Sequence, residues 1–328
     1  MGLNMRVGLW GFFLLFNLEA HMMHQREVGT HWQEEGILPF DELMLSWNAA
    51  RPLQGKYLFY VSVKTEDWSP WLLYAAWGSD GQSSFHEKAD QEPVRVYQDA
   101  LEVLEGQKAT GFQIKVVPEG LAVLEDIHAL HVYTNGDRLQ DPKQMVLDVP
   151  SIGLSLPGIS QMVLNHERPT SLCSPTSTTS VVRYLLNCPD VDPVYFAQNV
   201  WDGGFDIFGN WVFSVAQAAT ELGKDWNCWV ERLAGFEAVY QRLQQGAPVV
   251  VSIRGPLTGS AQPYASGHLI AVIGYDSLRQ RVLCMDPAFP ADDQTLVSYD
   301  LLDFTQAWNR RGRVAYVFQR SPEISKPF

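Results

Sequence analysis

The sequence contains no closely spaced pair of cysteines. Its four, Cys173, Cys188, Cys228 and Cys284, are too few to knit a chain of 328 residues into a disulfide scaffold. None lies at the short spacing a structural zinc site needs, and the eight histidines form no H-E-x-x-H pattern. No metal and no cofactor is expected. There is no G-x-x-x-x-G-K-[ST] phosphate loop, so the chain is expected not to be fused to an ATP-driven transporter. Basic residues are scarce, with 24 Lys and Arg against 37 Asp and Glu and a net charge of −13. That balance argues against a nucleic-acid partner, whose phosphates require a basic face. No apolar run reaches the roughly 20 residues that cross a bilayer. The most apolar segment, Val7 to Leu18, follows Arg6 and ends near Leu18-Glu19-Ala20. It reads as a secretory signal over residues 1–20. The expected location is therefore secreted or cell envelope. A cytoplasmic location is the alternative, with Met22 or Met23 as the true first residue.

Hydrophobic residues make up 46% of the chain and charged residues 19%, enough for roughly two domains with real cores. From residue 37 to 147 the pattern is all strand. DELMLSWNA, GKYLFYVSVK, SPWLLYAAWG, TGFQIKVV and IHALHVYT are short, aromatic or β-branched, and separated by Gly, Pro, Asn and Asp. A β-sandwich or jelly-roll-like domain is expected there. Its aromatics Trp47, Trp68, Trp71, Trp77, Tyr57, Tyr60 and Tyr74 read either as its core or as a stacking platform for a ligand. VPSIGLSLPGISQ then reads as a linker or extended lead-in. From residue 148 to 322 helices come first: 175–186, 212–222 with Gly223 as its cap, and 236–245. The strands PVVVSI, GHLIAVIGY and RVLCMD follow, then a helix over 301–309 and the strand RVAYVFQ. Helices followed by mostly antiparallel strands make an α+β domain. Its pattern is complete, so a fragment beginning at Asp148 is expected to fold alone.

The stretch SLCSPTSTTSVVRYLLN places Cys173 at the start of a helix. Pro175 suits a first turn, and the Ser/Thr run suits a helix N-terminus better than its interior. A helix N-terminus favours the thiolate, the form that attacks. Cys173 is therefore a candidate nucleophile. The competing reading is a small buried thiol under a hydroxyl-rich cap. His268 opens the strand GHLIAVIGY, where its backbone would be rigid. It is the candidate base, against the plainer reading of a strand-end histidine. Asp286 ends RVLCMD, with Pro287 stopping the ladder. If the two strands pair as a hairpin across DSLRQ, His268 and Asp286 meet at one end of the sheet. Asp286 would then hold the imidazole, though on its own it reads as a turn residue.

CSPTS, SGHLIAVIGYD and MDPAFP, in that order, resemble the papain-like cysteine peptidases of family thirty-nine. That family includes the bacteriocin-processing peptidases, and the similarity here is to its free-standing bacterial branch. It covers about residues 149–319. It implies a papain-like α+β fold, with Cys173 as nucleophile, His268 as general base and Asp286 as orienting carboxylate. The processing enzymes carry a glutamine shortly before the cysteine that helps form the oxyanion hole. Here the upstream glutamine is Gln161, separated from Cys173 by a longer loop. The resemblance assigns it that role, against the plainer reading of a polar linker residue. The Cys173 N–H would be the second donor.

The leading expectation is a cysteine peptidase acting on a peptide or protein through a Cys-His-Asp triad and a thioester acyl-enzyme. An amidase or acyltransferase on cell-wall peptides would use the same triad. A binding protein, with the aromatic N-terminal domain active and the second domain catalytically idle, is the alternative of a different class. Cys188 and Cys228 are a candidate disulfide in an exported chain, and Cys284 reads as a buried thiol.

Overall fold

Alternating apolar residues make strands where one face can be buried. A computed structural model of the protein describes residues 20–25, 28–90, 92–136 and 147–321. The apolar run Val7–Leu18 and residues 1–19 of the proposed signal lie outside the described residues.

The N-terminal half consists of two antiparallel sheets. Its strands are β1 (Ala20–Gln25), β2 (His31–Phe40), β3 (Glu42–Ala49), β4 (Lys56–Lys64), β5 (Leu72–Gly78), β6 (Ser83–Ser84), β7 (His86–Lys88), β8 (Val94–Tyr97), β9 (Ala100–Val103), β10 (Ala109–Glu119) and β11 (Ile127–Asn135). One sheet runs β1-β11-β3-β9-β8-β7 and the other β2-β10-β4-β5-β6. The strand β1 pairs with β11, and β2 with β10, so the paired strands begin well before residue 37. Polar WQEEG in β2 hid it from a reading by apolar alternation.

The aromatics of this half divide by strand face. Trp47, Trp77, Tyr57 and Tyr74 are fully buried. Trp47 stacks on Phe59, with ring centroids 4.2 Å apart. Tyr60, Trp68 and Trp71 stay partly exposed, and the Lys115 ammonium lies over the Tyr60 and Trp71 rings at 4.5 and 4.7 Å.

The second half begins with β12 (Ile152–Gly153), followed by α1 (Cys173–Leu186), α2 (Pro193–Val200) and α3 (Trp211–Leu222). Then come β13 (Trp226–Arg232), α4 (Phe236–Gln244), β14 (Val249–Gly255), β15 (Tyr264–Asp276), β16 (Arg281–Met285), β17 (Leu296–Asp300), α5 (Leu301–Asn309) and β18 (Val314–Arg320). One antiparallel sheet of order β13-β18-β14-β15-β16-β17 runs through it, and β12 joins beside β15. Helix α3 ends at Gly223, whose φ of 70° is the cap conformation the sequence suggests. Helix α2 was not read from the sequence. Asp192 caps it and Pro193 occupies its first turn.

The segment expected to be a linker is packed structure. After β12, Leu154 N–H donates to Ile273 O at 2.8 Å, and Leu156, Ile159 and Ser160 are buried. Gly158 passes so close to the chain beyond β16 that an added Cβ would lie 2.3 Å from Asp292 O. The prolines of this segment, with Ser151 and Ser155, stay exposed, while Leu156, Ile159 and Ser160 turn inward against the sheet.

The two halves also share one core. Trp47 and Phe59 of the N-terminal sheets belong to the same buried cluster as Val212, Phe213, Cys228 and Val230. The free edge of β13 is closed by side chains of β3. Asn48 accepts from Cys228 N at 2.8 Å and donates to Cys228 O at 2.6 Å, and Ser46 Oγ accepts from Val230 N at 3.1 Å. A fragment beginning at Asp148 would expose this core face and leave an open strand edge. It is therefore expected not to fold alone, contrary to the expectation from its complete helix-and-strand pattern. Residues 148–321 expressed alone should bind a hydrophobic dye and melt without a sharp transition. A cooperative melt close to that of the full chain would refute this.

Candidate active site

Helix α1 begins at Cys173, and its N-terminal N–H groups have no side-chain cap. The hydroxyl run after it is not a solvated cap. Ser174, Thr176, Ser177, Thr178, Thr179 and Ser180 are all buried. Several tether the helix. Ser174 Oγ hydrogen-bonds Ser214 Oγ of α3 at 2.8 Å and the Tyr316 hydroxyl of β18 at 2.9 Å. Ser177 Oγ donates to Leu269 O at 3.0 Å, and Ser180 Oγ to Pro157 O at 2.6 Å. Buried hydroxyls stay in a helix when they have such partners. They hold the partly exposed Cys173 in fixed register against β15 and the lead-in.

The hairpin expected from the sequence forms. Strands β15 and β16 pair, and Ala271 stands opposite Met285. His268 is the fifth residue of β15 rather than its first, and past the end of the β15–β16 pairing its Nε2 lies 2.8 Å from Asp286 Oδ1. Asp286 is fully buried. Its Oδ1 also accepts from Ala288 N at 3.0 Å, and its Oδ2 accepts from the hydroxyls of Tyr264 at 2.7 Å and Tyr299 at 2.6 Å. Burial pushes this carboxyl up. The charge and hydrogen bond of His268 and the two tyrosine donors outweigh that and hold it below its ordinary value. Burial and the Asp286 charge drive both tyrosine hydroxyls well above their ordinary range, so they remain donors. The Tyr264 ring lies flat on the imidazole, with centroids 4.0 Å apart and planes 19° apart.

With Nε2 committed to Asp286, the other ring nitrogen is left for the thiol, and the imidazole acts on Cys173. Burial disfavours an imidazolium. The charge and hydrogen bond of Asp286, and then Cys173, outweigh it and raise His268 to about 10. Burial likewise disfavours the thiolate. The His268 hydrogen bond and charge, then the Leu269 and Ser174 N–H groups, hold Cys173 below its ordinary value. The two shifts favour a thiolate–imidazolium pair.

Gln161 is buried beneath this end of α1. Its backbone N–H donates to Pro287 O at 2.9 Å, directly after Asp286, and its Nε2 donates to Pro169 O at 3.0 Å. Its Oε1 is buried with no protein partner among the described residues. The four cysteines are free thiols, and Cys188 and Cys228 are not joined. Burial pushes the Cys228 and Cys284 thiols up, which makes both inert.

Residues 154–316 match the family model described as the Peptidase_C39 like family. This region is a C39-like peptidase domain. The protein is a cysteine-type peptidase, which sets aside the reading of a binding protein with an idle second domain. Among solved structures, a protein described as a C39-like peptidase from Bacillus anthracis is 20% identical. It aligns over 53% of this chain and 100% of its own, with a TM-score of 0.41. Xylellain, a cysteine protease from Xylella fastidiosa, is 10% identical over 56% of this chain and 92% of its own, with a TM-score of 0.34. No curated protein sequence matches the chain.

Within the C39-like domain, sequence reasoning missed Tyr264 and Tyr299. Tyr264 lies four residues before His268 on the same strand, a spacing that signals nothing without the fold. Tyr299 sits on β17, whose partner strand carries Cys284 rather than a site residue.

The pKa shifts predict the pH behaviour of the thiol. A lowered thiol keeps its anion as the pH falls below its ordinary value. A raised imidazole keeps its proton as the pH rises through 6.5 to about 10. Iodoacetamide should therefore label Cys173 fast at about pH 6, with the rate level until His268 titrates near 10, while Cys228 and Cys284 label slowly. His268→Ala should move the Cys173 profile to higher pH. A Cys173 profile that coincides with those of the buried thiols would end the ion-pair reading. Tyr299→Phe removes one donor from a buried carboxylate and should cost about 1–3 kcal/mol in denaturant unfolding. An unchanged midpoint would show that this hydroxyl carries no such role.

Proposed function

We propose that the protein hydrolyses peptide bonds through Cys173, His268 and Asp286, with a thioester acyl-enzyme. The observation that carries this is the buried contact of His268 Nε2 with Asp286, in an imidazole whose charge lowers the Cys173 thiol. In this scheme the Cys173 sulfur attacks the peptide carbonyl and a C–S bond forms. His268 delivers its proton to the departing amine as the C–N bond breaks. A water then attacks the thioester, giving a proton to His268, and the C–S bond breaks to release the acid and restore the pair. Asp286 keeps the imidazole in the required orientation and stabilises its charge. It does so from a site where its own oxygens are occupied by donors.

The oxyanion would form against the Cys173 N–H at the start of α1 and the side chain of Gln161. Gln161 uses one amide N–H on Pro169, which leaves its second for the reacting carbonyl. Its backbone tie to Pro287 links that donor to the Asp286 turn. In this reading residues 148–322 carry the chemistry. The residues from 37 to 147, together with the strands before them, form a sandwich-like lobe that completes its core.

Cys173→Ala should abolish hydrolysis of any peptide the wild type cleaves and leave the melting transition in place. Near-wild-type turnover by that variant would sink the mechanism. Gln161→Ala should lower kcat by about 100-fold, the effect of one oxyanion donor, while Cys173 still labels quickly at pH 6. Unchanged kcat would remove Gln161 from the reaction.

A further inference from the structure

A cavity of about 730 Å³ opens between the N-terminal sheets and the C39-like domain. Its walls are strongly charged, and most of those charges are paired. Arg232 binds Glu42 across it with Nη2 to Oε1 at 2.6 Å, Arg95 binds Glu102 on the neighbouring strand with Nε to Oε2 at 2.6 Å, and Asp41 binds Lys108 at 3.4 Å. Once these pairs are set aside, two adjacent cations remain on the wall after α5, Arg310 and Arg311. Arg310 is exposed and donates to the carbonyls of Arg254 and Pro256. Arg311 is half-buried. Its Nε donates to Ser252 Oγ at 3.2 Å, and its guanidinium lies 5.3 Å from the centre of the Trp211 ring. No carboxylate of the described residues forms an ion pair with it. Asp99, the acid whose charge acts on it most, is held by the N–H groups of Trp211 and Val212 at the start of α3. A desolvated guanidinium is normally paired with an anion. In a chain of net charge −13, this is a notable place for two uncommitted cations.

The Arg311 wall of the cavity approaches the strand that carries His268. Ser252, which accepts from Arg311, stands opposite Leu269 in the β14–β15 ladder, and Leu269 follows His268. Paired strands are about 5 Å apart. Gly267, directly before His268, has φ 106°, and a Cβ there would lie 3.7 Å from Arg311 Nε. An extended peptide advances about 3.3 Å per residue, so a side chain a few residues from the scissile bond would reach the guanidinium.

We infer that this cavity is a specificity subsite that takes an acidic side chain of the peptide substrate, with Arg311 as its anchor and Arg310 at its rim. The carboxylate would supply the missing partner of Arg311 by charge-assisted hydrogen bonds. The N-terminal sheets form the outer wall, and their Glu42 and Glu102 are already neutralised. This deepens the proposed function and rests on Cys173 being the nucleophile.

The test uses the full chain and fluorogenic peptides that differ only by Glu or Gln at each of three positions on either side of the cleavable bond. At one position kcat/KM should favour Glu about tenfold, and added salt should reduce the ratio. Arg311→Gln should bring the ratio towards one, and Arg311→Lys should retain part of it. A wild type with no Glu preference at any position overturns the inference, as does a preference that survives Arg311→Gln in a variant with a normal melt. A second readout needs no turnover. The Glu peptide at millimolar concentration should slow iodoacetamide labelling of Cys173 in the wild type, and the Gln peptide should do so about tenfold less effectively. Equal protection by the two peptides overturns the subsite alone. Slow labelling of Cys173 at pH 6 without any peptide overturns the reading of the site on which the subsite stands.

Discussion

The buried contact between His268 and Asp286 is the constraint around which the rest of the C39-like domain is arranged. A carboxylate with no exposure is costly to bury, by several kcal/mol. It stays ionised here because Ala288 N–H, two tyrosine hydroxyls and the imidazole all point at it. Each such bond to a charged acceptor is worth about 1.5–3 kcal/mol. Those donors come from four places in the chain: the turn after β16, the start of β15, β17, and His268 itself. The sheet order β14-β15-β16-β17 is what brings them together. Once Asp286 is anionic, His268 is drawn to its charged form. Once His268 is charged, the Cys173 thiol falls below its ordinary value although it lies in a poorly solvated position.

The thiol can exploit that field only if α1 is held against the sheet. Ser174, Ser177 and Ser180 of α1 do this by reaching β15, α3, β18 and the lead-in, rather than by capping the helix. Apolar residues at those positions would bury area without fixing register. Hydrogen bonds of defined length fix both the depth and the rotation of the helix. The lead-in serves the same end. It pairs with β15 as β12, beyond the end of β14, passes Gly158 against Asp292, and brings Gln161 beside Pro287.

The N-terminal sheets belong to this arrangement as well. Asn48 and Ser46 close the edge of β13, and Arg51 reaches across to the Asn199 carbonyl and the Gln217 side chain. Asp202, in the loop after α2, accepts from Ser84 N–H at 2.9 Å. Polar side chains that satisfy backbone groups across a boundary make the two halves one packing unit. The same boundary carries the charged cavity beside Arg311.

Much of this was legible in the sequence, because it depends on local chemistry. The helices around Val181, Val215 and Leu243, and the strands GHLIAVIGY and RVLCMD, follow from apolar period and from Gly and Pro punctuation. Cys173 at a helix start, followed by His268 and Asp286 at strand ends, stood out because each of those residue types is unusual in its setting. Strands rich in polar residues, such as β2, did not stand out, because their pairing is set by a partner far along the chain. The tyrosines around Asp286 were invisible for the same reason. A hydroxyl becomes a ligand of a buried carboxylate only when the β15–β16–β17 register places it there. The Ser/Thr run of α1 was read as a helix cap and the Pro/Ser/Gly segment as a linker or extended lead-in; tertiary packing buried the first and turned Leu156, Ile159 and Ser160 of the second inward. The sequence by itself determined which residues have the chemistry to act and the local elements that carry them. Tertiary structure alone decided which groups surround them, because the field at a thiol or a carboxylate is made by neighbours whose positions no local pattern encodes.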